Sequence, residues 1–203
     1  MAILKRICVY CGSGAGVDPA YAEAAKILGR TMAENNIGLV YGGGSIGLMG
    51  ITAQSVLDHG GQVTGIIPSF LQEREVMLDA VQELIITEDM HERKRKMFEC
   101  AQAFVALPGG IGTLEELVEM LTWAQLGQHK KPVLLANINA FWDPLMSLLD
   151  HMREEDFIRS GLEVSFLSTG NPEEIVPMLI EASDALTEDL LAQDTDAADL
   201  KRF

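Results

Sequence analysis

The chain is poor in cysteine. Its 203 residues include only Cys8, Cys11 and Cys100. So few thiols exclude a small scaffold built on disulfides, and low cysteine usage suits a reducing compartment. We therefore expect free thiols and a cytoplasmic protein.

Positive charge is also scarce. The sequence has 15 lysines and arginines against 30 aspartates and glutamates, which gives a formal net charge of -15. Nucleic acids and anionic membranes bind surfaces on which lysine and arginine cluster, so we expect neither as a partner. An anionic small molecule would need positive charge supplied locally.

Long apolar runs and metal-binding motifs are missing as well. No apolar run approaches the roughly 18 residues of a membrane span. Lys5 and Arg6, inside the segment 3–10, indicate a strand rather than a cleavable signal. The 4 histidines lack the close spacing of H-E-x-x-H and related motifs. We expect no membrane span and no metal site.

Cys8 and Cys11 have the spacing of a redox motif, but they do not lie in the secondary structure where such a motif is found. A redox pair belongs at the start of a helix, whereas these cysteines lie in or at the end of the first predicted strand. Residues three apart in an extended chain face opposite sides. The sequence favours a core residue and a turn residue over a redox pair.

Strand-like segments alternate with helical patterns along the chain. Asp18-Pro19 and Asn171-Pro172 each predict a helix start, with an N-cap followed by proline. Such alternation predicts an α/β fold with a mostly parallel sheet and helices on both faces. The predicted strands are 3–10, 38–41, 62–67, 83–87, 104–107 and 133–137, and the predicted helices include 19–35, one ending at 58, one from 90, one ending at 125 and one from 141.

The length predicts one domain, since a chain of this size buries about 70% of its unfolded surface. We assign residues 1–182 to this domain. Residues 183–203 are acidic and weakly apolar, and they predict a tail or an extra helix without an assigned role. The segment 68–82 predicts a loop or short helix.

Two turns nearly free of side chains each join a predicted strand to a predicted helix. One runs from Pro108 to Glu116, and the other from Gly42 to Gly50. Glycine lets the backbone approach an anion closely, and a helix start offers unpaired N–H donors and a favourable dipole. Two such turns in one domain indicate a phosphorylated ligand.

These turns follow strand carboxyl ends, where ligands bind in open α/β sheets. Cys11-Gly12-Ser13-Gly14 follows the first strand in the same way. All three turns should line one edge of the sheet. The candidate phosphate or ribose loop consists of Gly12, Ser13, Gly42, Gly43 and Gly44.

The glycines Gly42, Gly44 and Gly47 formally match a dinucleotide fingerprint. The context differs, because the match follows the second strand and the next strand ends in Pro68-Ser69, where an acidic ribose ligand would be expected. Another alternative is that the glycines only allow tight turns and close packing of helix on sheet.

The basic run 93–96 lies in the helix predicted from residue 90. On a helical wheel, Arg93 and Lys94 border the apolar stripe and the other two residues point away. Charges beside a buried stripe need anionic partners, which Glu75, Glu116 or a ligand phosphate could supply. We favour a role linked to the ligand.

Two interpretations of Glu116 remain open. Thr113-x-x-Glu116 fits a capping box, in which both side chains satisfy the first backbone donors of a helix. The wheel also puts Glu116 on a flank with Met120 and Trp123, and a carboxylate in such surroundings at a ligand edge is a candidate for chemistry.

Together these motifs closely resemble the Lonely Guy family of cytokinin-activating phosphoribohydrolases. The resemblance spans roughly Arg6 to Met178 and includes Thr122-Trp123-Ala124-Gln125-Leu126-Gly127. The motifs that carry it are Tyr41-Gly42-Gly43-Gly44, Gly47-Leu48-Met49-Gly50, Met90-His91-x-Arg93-Lys94-x-x-Met97 and Pro108-Gly109-Gly110-x-Gly112-Thr113-x-x-Glu116.

The resemblance implies a Rossmann-like dimer that hydrolyses the N-glycosidic bond of a nucleoside 5′-monophosphate. The products would be a free base, typically an N6-modified adenine, and ribose 5-phosphate, with no cofactor. Arg93 and Glu116 would be essential for turnover. The implied substrate-binding residues are Glu75, Arg93, Lys94, Gly110, Ile111, Gly112, Thr113, Leu114, Glu115, Glu116 and Thr122.

The chain departs from the family between Pro68 and Met90. Gln72-Glu73-Arg74 stands where a proline-rich turn bearing lysine or arginine would be expected, which bears on the choice of base. An alternative function is a nucleotide-binding or carrier protein of the same fold without chemistry. Lysine decarboxylation ranks lower, because Lys94 among basic neighbours is a poor Schiff-base lysine.

Overall fold

The structure, a computed structural model, describes residues 4–72, 81–159, 161 and 163–200. The strands are β1 (Arg6–Tyr10), β2 (Gly38–Tyr41), β3 (Val63–Pro68), β4 (Glu83–Thr87), β5 (Ala103–Ala106), β6 (Val133–Ala136) and β7 (Leu167–Thr169). The helices are α1 (Pro19–Glu34), α2 (Gly47–Asp58), α3 (Ser69–Gln72), α4 (Met90–Cys100), α5 (Ile111–Gln125), α6 (Asp143–Glu154) and α7 (Ile175–Leu200).

The strands form one 7-stranded sheet in the order β4-β3-β2-β1-β5-β6-β7. Every neighbouring pair is parallel. The chain moves outward from β1 to β4 and then returns to place β5 on the other side of β1. This reversal is the doubly wound arrangement, which confirms the predicted fold class.

Both faces of the central strands are buried under helices. Alternate residues of β1 point to opposite faces of the sheet. Ile7 and Val9 belong to one core cluster, and Cys8 and Tyr10 belong to the other. The first cluster includes residues of α1, α2 and α7, and the second includes residues of α4 and α5. The near-continuous apolar strands of the sequence follow from this double burial.

Both predicted helix caps are present, with one difference. The Asp18 carboxylate accepts a hydrogen bond from the Ala20 N–H at 2.9 Å, at the start of α1. The Asn171 side chain accepts one from the Glu173 N–H at 3.2 Å, but it caps a 3₁₀ turn, Pro172–Glu174, that leads into α7. The predicted domain boundary at residue 182 falls within α7.

Two elements differ from expectation near the end of the sheet. The edge strand β7 was not predicted, because its three residues are too few to show a period. The helix expected from Phe141 begins at Asp143, after a 3₁₀ turn at Ile138–Ala140. No helix in the described ranges is long and apolar enough to cross a membrane.

The glycine-rich turns meet at one edge of the sheet, as the sequence predicts. The Gly12 N–H donates to the Pro108 carbonyl at 3.1 Å, and the Leu48 N–H donates to the Gly12 carbonyl at 3.0 Å. The turns after β1, β2 and β5 are thereby tied to one another. This edge carries the candidate site.

Close packing of α1 on α2 depends on Gly29. A Cβ there would lie 2.7 Å from the Thr52 carbonyl oxygen and 2.7 Å from the Ser55 Cβ. The Thr52 oxygen is backbone, so the helices would have to separate to admit a methyl group.

We expect Gly29→Ala to lower the free energy of unfolding by about 1–3 kcal/mol, because overpacking outweighs the better helix propensity of alanine. Urea denaturation followed by circular dichroism measures this change. Gly170→Ala is the matched control, since a Cβ there comes no closer than 3.4 Å to the Asn137 carbonyl. Equal stability of the two variants would contradict the packing argument.

Candidate active site

A buried ion pair joins α4 to α5 at the glycine-rich edge. The Arg93 Nη1 lies 3.1 Å from the Glu116 Oε1, and the side chains are only 12% and 11% exposed. Charge-assisted hydrogen bonds are the strong ones, and burial reduces their screening by solvent. The two residues expected to be essential for turnover are therefore in direct contact.

The sheet fixes the other side of the Arg93 guanidinium. Its Nε donates to the Ile66 carbonyl at 3.1 Å, in β3. A Cβ on Gly42 would collide with the Arg93 Nη2. Gly42 therefore provides the space in which the guanidinium lies. Sequence reasoning missed both contacts, because neither a backbone carbonyl nor an absent side chain leaves a motif that points to position 93.

Glu116 is a buried carboxylate among other charges. Burial raises its pKa, Arg93 lowers it and Glu115 raises it again, and the net pKa is above the ordinary value. The neighbouring Cys8 and Tyr10 are themselves buried, which raises their pKa values and keeps them neutral. Such a carboxylate changes protonation nearer to neutral pH than an exposed glutamate does.

Glu116 does not cap its helix. α5 begins at Ile111 with Gly110 as the N-cap residue, and no side chain caps it. Thr113 is therefore at N3 rather than at the N-cap, and Glu116 lies three residues further into the helix, outside the positions that a capping box uses. The structure rejects the capping interpretation and leaves the carboxylate paired with Arg93.

The turn before α5 is open to a ligand. Gly110 and Gly112 are exposed, and nothing lies within 4 Å of a Cβ built on either one. Thr113 is buried and packs against Gly109, where a Cβ would collide with the threonine hydroxyl. The first N–H groups of α5 are thus exposed at a helix N-terminus, which is a favourable place for a phosphate.

The turn before α2 is closed instead. The Gly12 carbonyl accepts from the N–H groups of Leu48 and Met49, at 3.0 and 3.4 Å. Gly42, Gly43 and Gly44 are buried, and a Cβ on Gly65 would lie 3.2 Å from the Gly43 Cα. These contacts favour the packing interpretation of the three glycines. Within the described residues, the turn before α5 is the open one of the two.

Lys94 bonds to carboxylates of its own chain. Its Nζ lies 2.6 Å from the Glu115 Oε1 and 3.0 Å from the Glu119 Oε1. Burial lowers the Lys94 pKa, but the hydrogen bonds to these two glutamates outweigh burial and raise it above the ordinary value. The helical wheel placed Lys94 correctly at a buried border, but it did not reveal the partners on α5.

Other predicted site residues lie apart from the ion pair. Thr122 is exposed, and its hydroxyl donates to the Val118 carbonyl at 2.7 Å. Ile111 is exposed, and Leu114 packs against the second core cluster. Ser13 is exposed beside the buried Gly12. Glu75 lies outside the described residues.

The structure brings no metal-binding cluster together in residues 4–72, 81–159, 161 and 163–200, where no group of three histidine, cysteine, aspartate or glutamate side chains could hold an ion. The cysteines Cys8, Cys11 and Cys100 are free. Cys8 and Cys11 belong to different core clusters, on opposite faces of the sheet. This separation excludes a redox pair.

Comparison with known proteins gives both family and fold. Residues 49–179 match a family described as possible lysine decarboxylase. The solved structure of a molybdenum cofactor binding protein from Rippkaea orientalis is 23% identical, with a TM-score of 0.64 over 88% of this chain and 97% of that chain. At that identity the likeness shows the fold alone.

Two curated relatives are much more similar. Cytokinin riboside 5′-monophosphate phosphoribohydrolase LOG of Oryza sativa subsp. japonica is 50% identical over 177 residues, or 87% of this chain and 73% of that protein. The LOG7 protein of the same description from Arabidopsis thaliana is 45% identical over 195 residues, or 95% of this chain and 90% of that protein. This likeness covers both sides of the Arg93–Glu116 pair, and the chain therefore belongs to the Lonely Guy family.

Proposed function

We propose that the chain hydrolyses the N-glycosidic bond of an adenosine 5′-monophosphate, N6-modified or plain, to the free base and ribose 5-phosphate. The observation that carries this proposal is the buried Arg93–Glu116 pair beside the open start of α5. The names of the two relatives support the same reaction.

The phosphate would bind at the start of α5. Gly110, Gly112 and Thr113 would supply backbone donors and a hydroxyl, and the helix dipole adds to the attraction. Binding there would place the ribose toward the second turn of the helix, where Glu116 lies. Phosphate binding would thus orient the bond that breaks.

Glycosidic cleavage passes through a state resembling an oxocarbenium ion, and the Glu116 carboxylate would stabilise its positive charge. Water would add to C1′ as the bond from C1′ to the base nitrogen breaks. The bonding electrons leave with the base, which finally takes up a proton from the water. Glu116 would orient that water, and Arg93 would hold the substrate or stabilise the departing base.

The remaining residues that are predicted to bind substrate have supporting roles in this proposal. Lys94 has three N–H donors and gives two of them to carboxylates, so a third can reach a substrate anion. Glu115 and Leu114 belong to the same first turns of α5. Glu75 is kept as a ligand on the family resemblance alone.

Lysine decarboxylation is not favoured, although the matching family is described in that way. A Schiff base requires a neutral amine, whereas Glu115 and Glu119 hold Lys94 as an ammonium ion. A carrier protein without chemistry is the alternative to hydrolysis. It would not explain why a carboxylate and a guanidinium are buried together at the open turn.

We further propose a homodimer that works in the cytoplasm. Ile111 and Val118 are exposed apolar residues that share one flank of α5 with Thr122, and the exposed Leu126 follows directly after the helix. A second copy that covered this flank would bury them, and it would bring Thr122 toward the partner's site. The free thiols support a reducing compartment.

A substrate panel tests the reaction. We expect free base to be released from adenosine monophosphate and its N6-prenylated form, and we expect the matching nucleosides to react poorly because they cannot use the phosphate cradle. Chromatographic detection of the base measures both. Equal rates for nucleosides would contradict the cradle, and tight binding without base release would favour the carrier alternative.

Glu116→Gln tests the carboxylate. The amide keeps the shape of the side chain but cannot stabilise positive charge, so we expect kcat to fall by about a hundredfold or more.

Arg93→Ala is expected to lower kcat as well, and a rise in KM alone would make Arg93 a binding residue.

Arg95→Ala is the matched control for both variants, because Arg95 is an exposed residue of the same helix. Thermal unfolding checks that each variant is folded. Full activity of a folded Glu116→Gln variant would contradict the proposed chemistry.

Val118→Asp tests the dimer. A charge on the apolar flank of α5 should turn a dimer into a monomer in sedimentation analysis and reduce base release. Leu148→Asp makes the same change on the exposed side of α6 and should alter neither property. A Val118→Asp variant that remains dimeric would contradict the assigned interface.

A further inference from the structure

Two polar bridges join α4 to α5 side by side. Arg93 binds Glu116, and the adjacent Lys94 binds Glu115 and Glu119. The carboxylates bound by Lys94 precede Glu116 by one residue and follow it by three, so they lie on either side of it along the helix. The second bridge therefore spans the catalytic pair.

Turnover changes the contacts of the Arg93–Glu116 bridge but not those of the Lys94 bridge. If the proposed reaction is correct, Arg93 and Glu116 must turn part of their bonding toward the substrate. Their mutual contact at 3.1 Å then weakens. The Lys94 bridge requires no such change, and it is the polar contact that continues to hold α4 on α5 at this end of the helices.

Stability alone does not explain Glu119. Its Oε2 is buried and has no hydrogen-bond partner among the described residues. Leaving a buried acceptor unsatisfied is unfavourable, and a charged one more so. The same side chain contributes its other oxygen to Lys94 at 3.0 Å. An unfavourable buried oxygen beside the Arg93–Glu116 pair indicates that Glu119 has a role in function rather than in stability.

The bridge also balances charge around Glu116. The groups that face it are Arg93 and Lys94 from α4, Glu115 and Glu119 from α5, and the neutral Cys8, Tyr10 and Cys11 beneath. Lys94 offsets the two glutamates that would otherwise oppose ionisation of Glu116. Removing a glutamate and removing the lysine should therefore act on Glu116 in opposite directions.

We propose that Glu119 is a positioning residue for the reaction: through Lys94 it holds α4 on α5 and keeps Arg93 and Glu116 in place while substrate occupies the site. The inference rests on the proposed function. It extends the site by one residue beyond those that the sequence resemblance implies.

The test compares Glu119→Ala, Glu119→Gln and Lys94→Met with wild type, using adenosine monophosphate as substrate. We expect kcat of Glu119→Ala to fall about tenfold or more, with a smaller change in KM, because the catalytic pair loses its alignment. Glutamine can still accept from Lys94, so Glu119→Gln should recover most of that loss.

The pH profile separates positioning from a merely structural role. The acid limb of kcat/KM reports ionisation of Glu116 in the free enzyme. Glu119→Gln removes a negative charge and should move this limb to lower pH, whereas Lys94→Met removes a positive charge and should move it to higher pH. Glu99→Gln, in an exposed pair with Lys96, should leave both kcat and the limb unchanged.

Each outcome decides a different point. Wild type that releases no base overturns the proposed function and, with it, this inference. If wild type is active, a Glu119→Ala variant with normal kcat, or acid limbs that do not move in opposite directions, overturns the inference alone. Should Glu119→Ala fail to fold, the profiles of Glu119→Gln and Lys94→Met decide.

Discussion

The burial of one ion pair is the constraint on which the rest of the site depends. Removing a carboxylate and a guanidinium from water costs several kcal/mol per ion unless both are paired and hydrogen-bonded. Arg93 meets this demand with Glu116 and the Ile66 carbonyl, and Gly42 leaves room for it. The two side chains are thus held in place by β3, the turn after β2, α4 and α5 together.

The two glycine-rich turns have different roles, and this difference bears on how one fold can serve proteins of different function. The turn before α2 is closed by the Gly12 carbonyl and acts in packing, whereas the turn before α5 stays open. A cradle of this kind can hold an anion whether or not a reaction follows. Under the proposed mechanism, hydrolysis requires a carboxylate within reach of the sugar, so function would lie in residues such as Glu116 rather than in the fold.

The sequence predicted the architecture well because burial on both faces leaves clear apolar strands and short loops. It also placed Arg93 and Lys94 on the correct side of their helix. Contacts between elements could be predicted only in part. Glu116 was one of the anionic partners considered for Arg93, and it is the one observed, but the wheel did not show that Glu119 lies opposite Lys94. The capping motif at Thr113 was misleading because the N-cap residue is Gly110, three residues earlier, and β7 was too short to leave a pattern.

The space above Gly42 links two positions that are 51 residues apart in the chain. A side chain at position 42 would force the end of the flexible Arg93 side chain to move, so the residue at one position limits where the other can lie. In a variant with a residue larger than glycine at position 42, the guanidinium would have to shift relative to Glu116 and the Ile66 carbonyl. The absence of a side chain at position 42 is therefore part of what fixes the position of a charge at position 93.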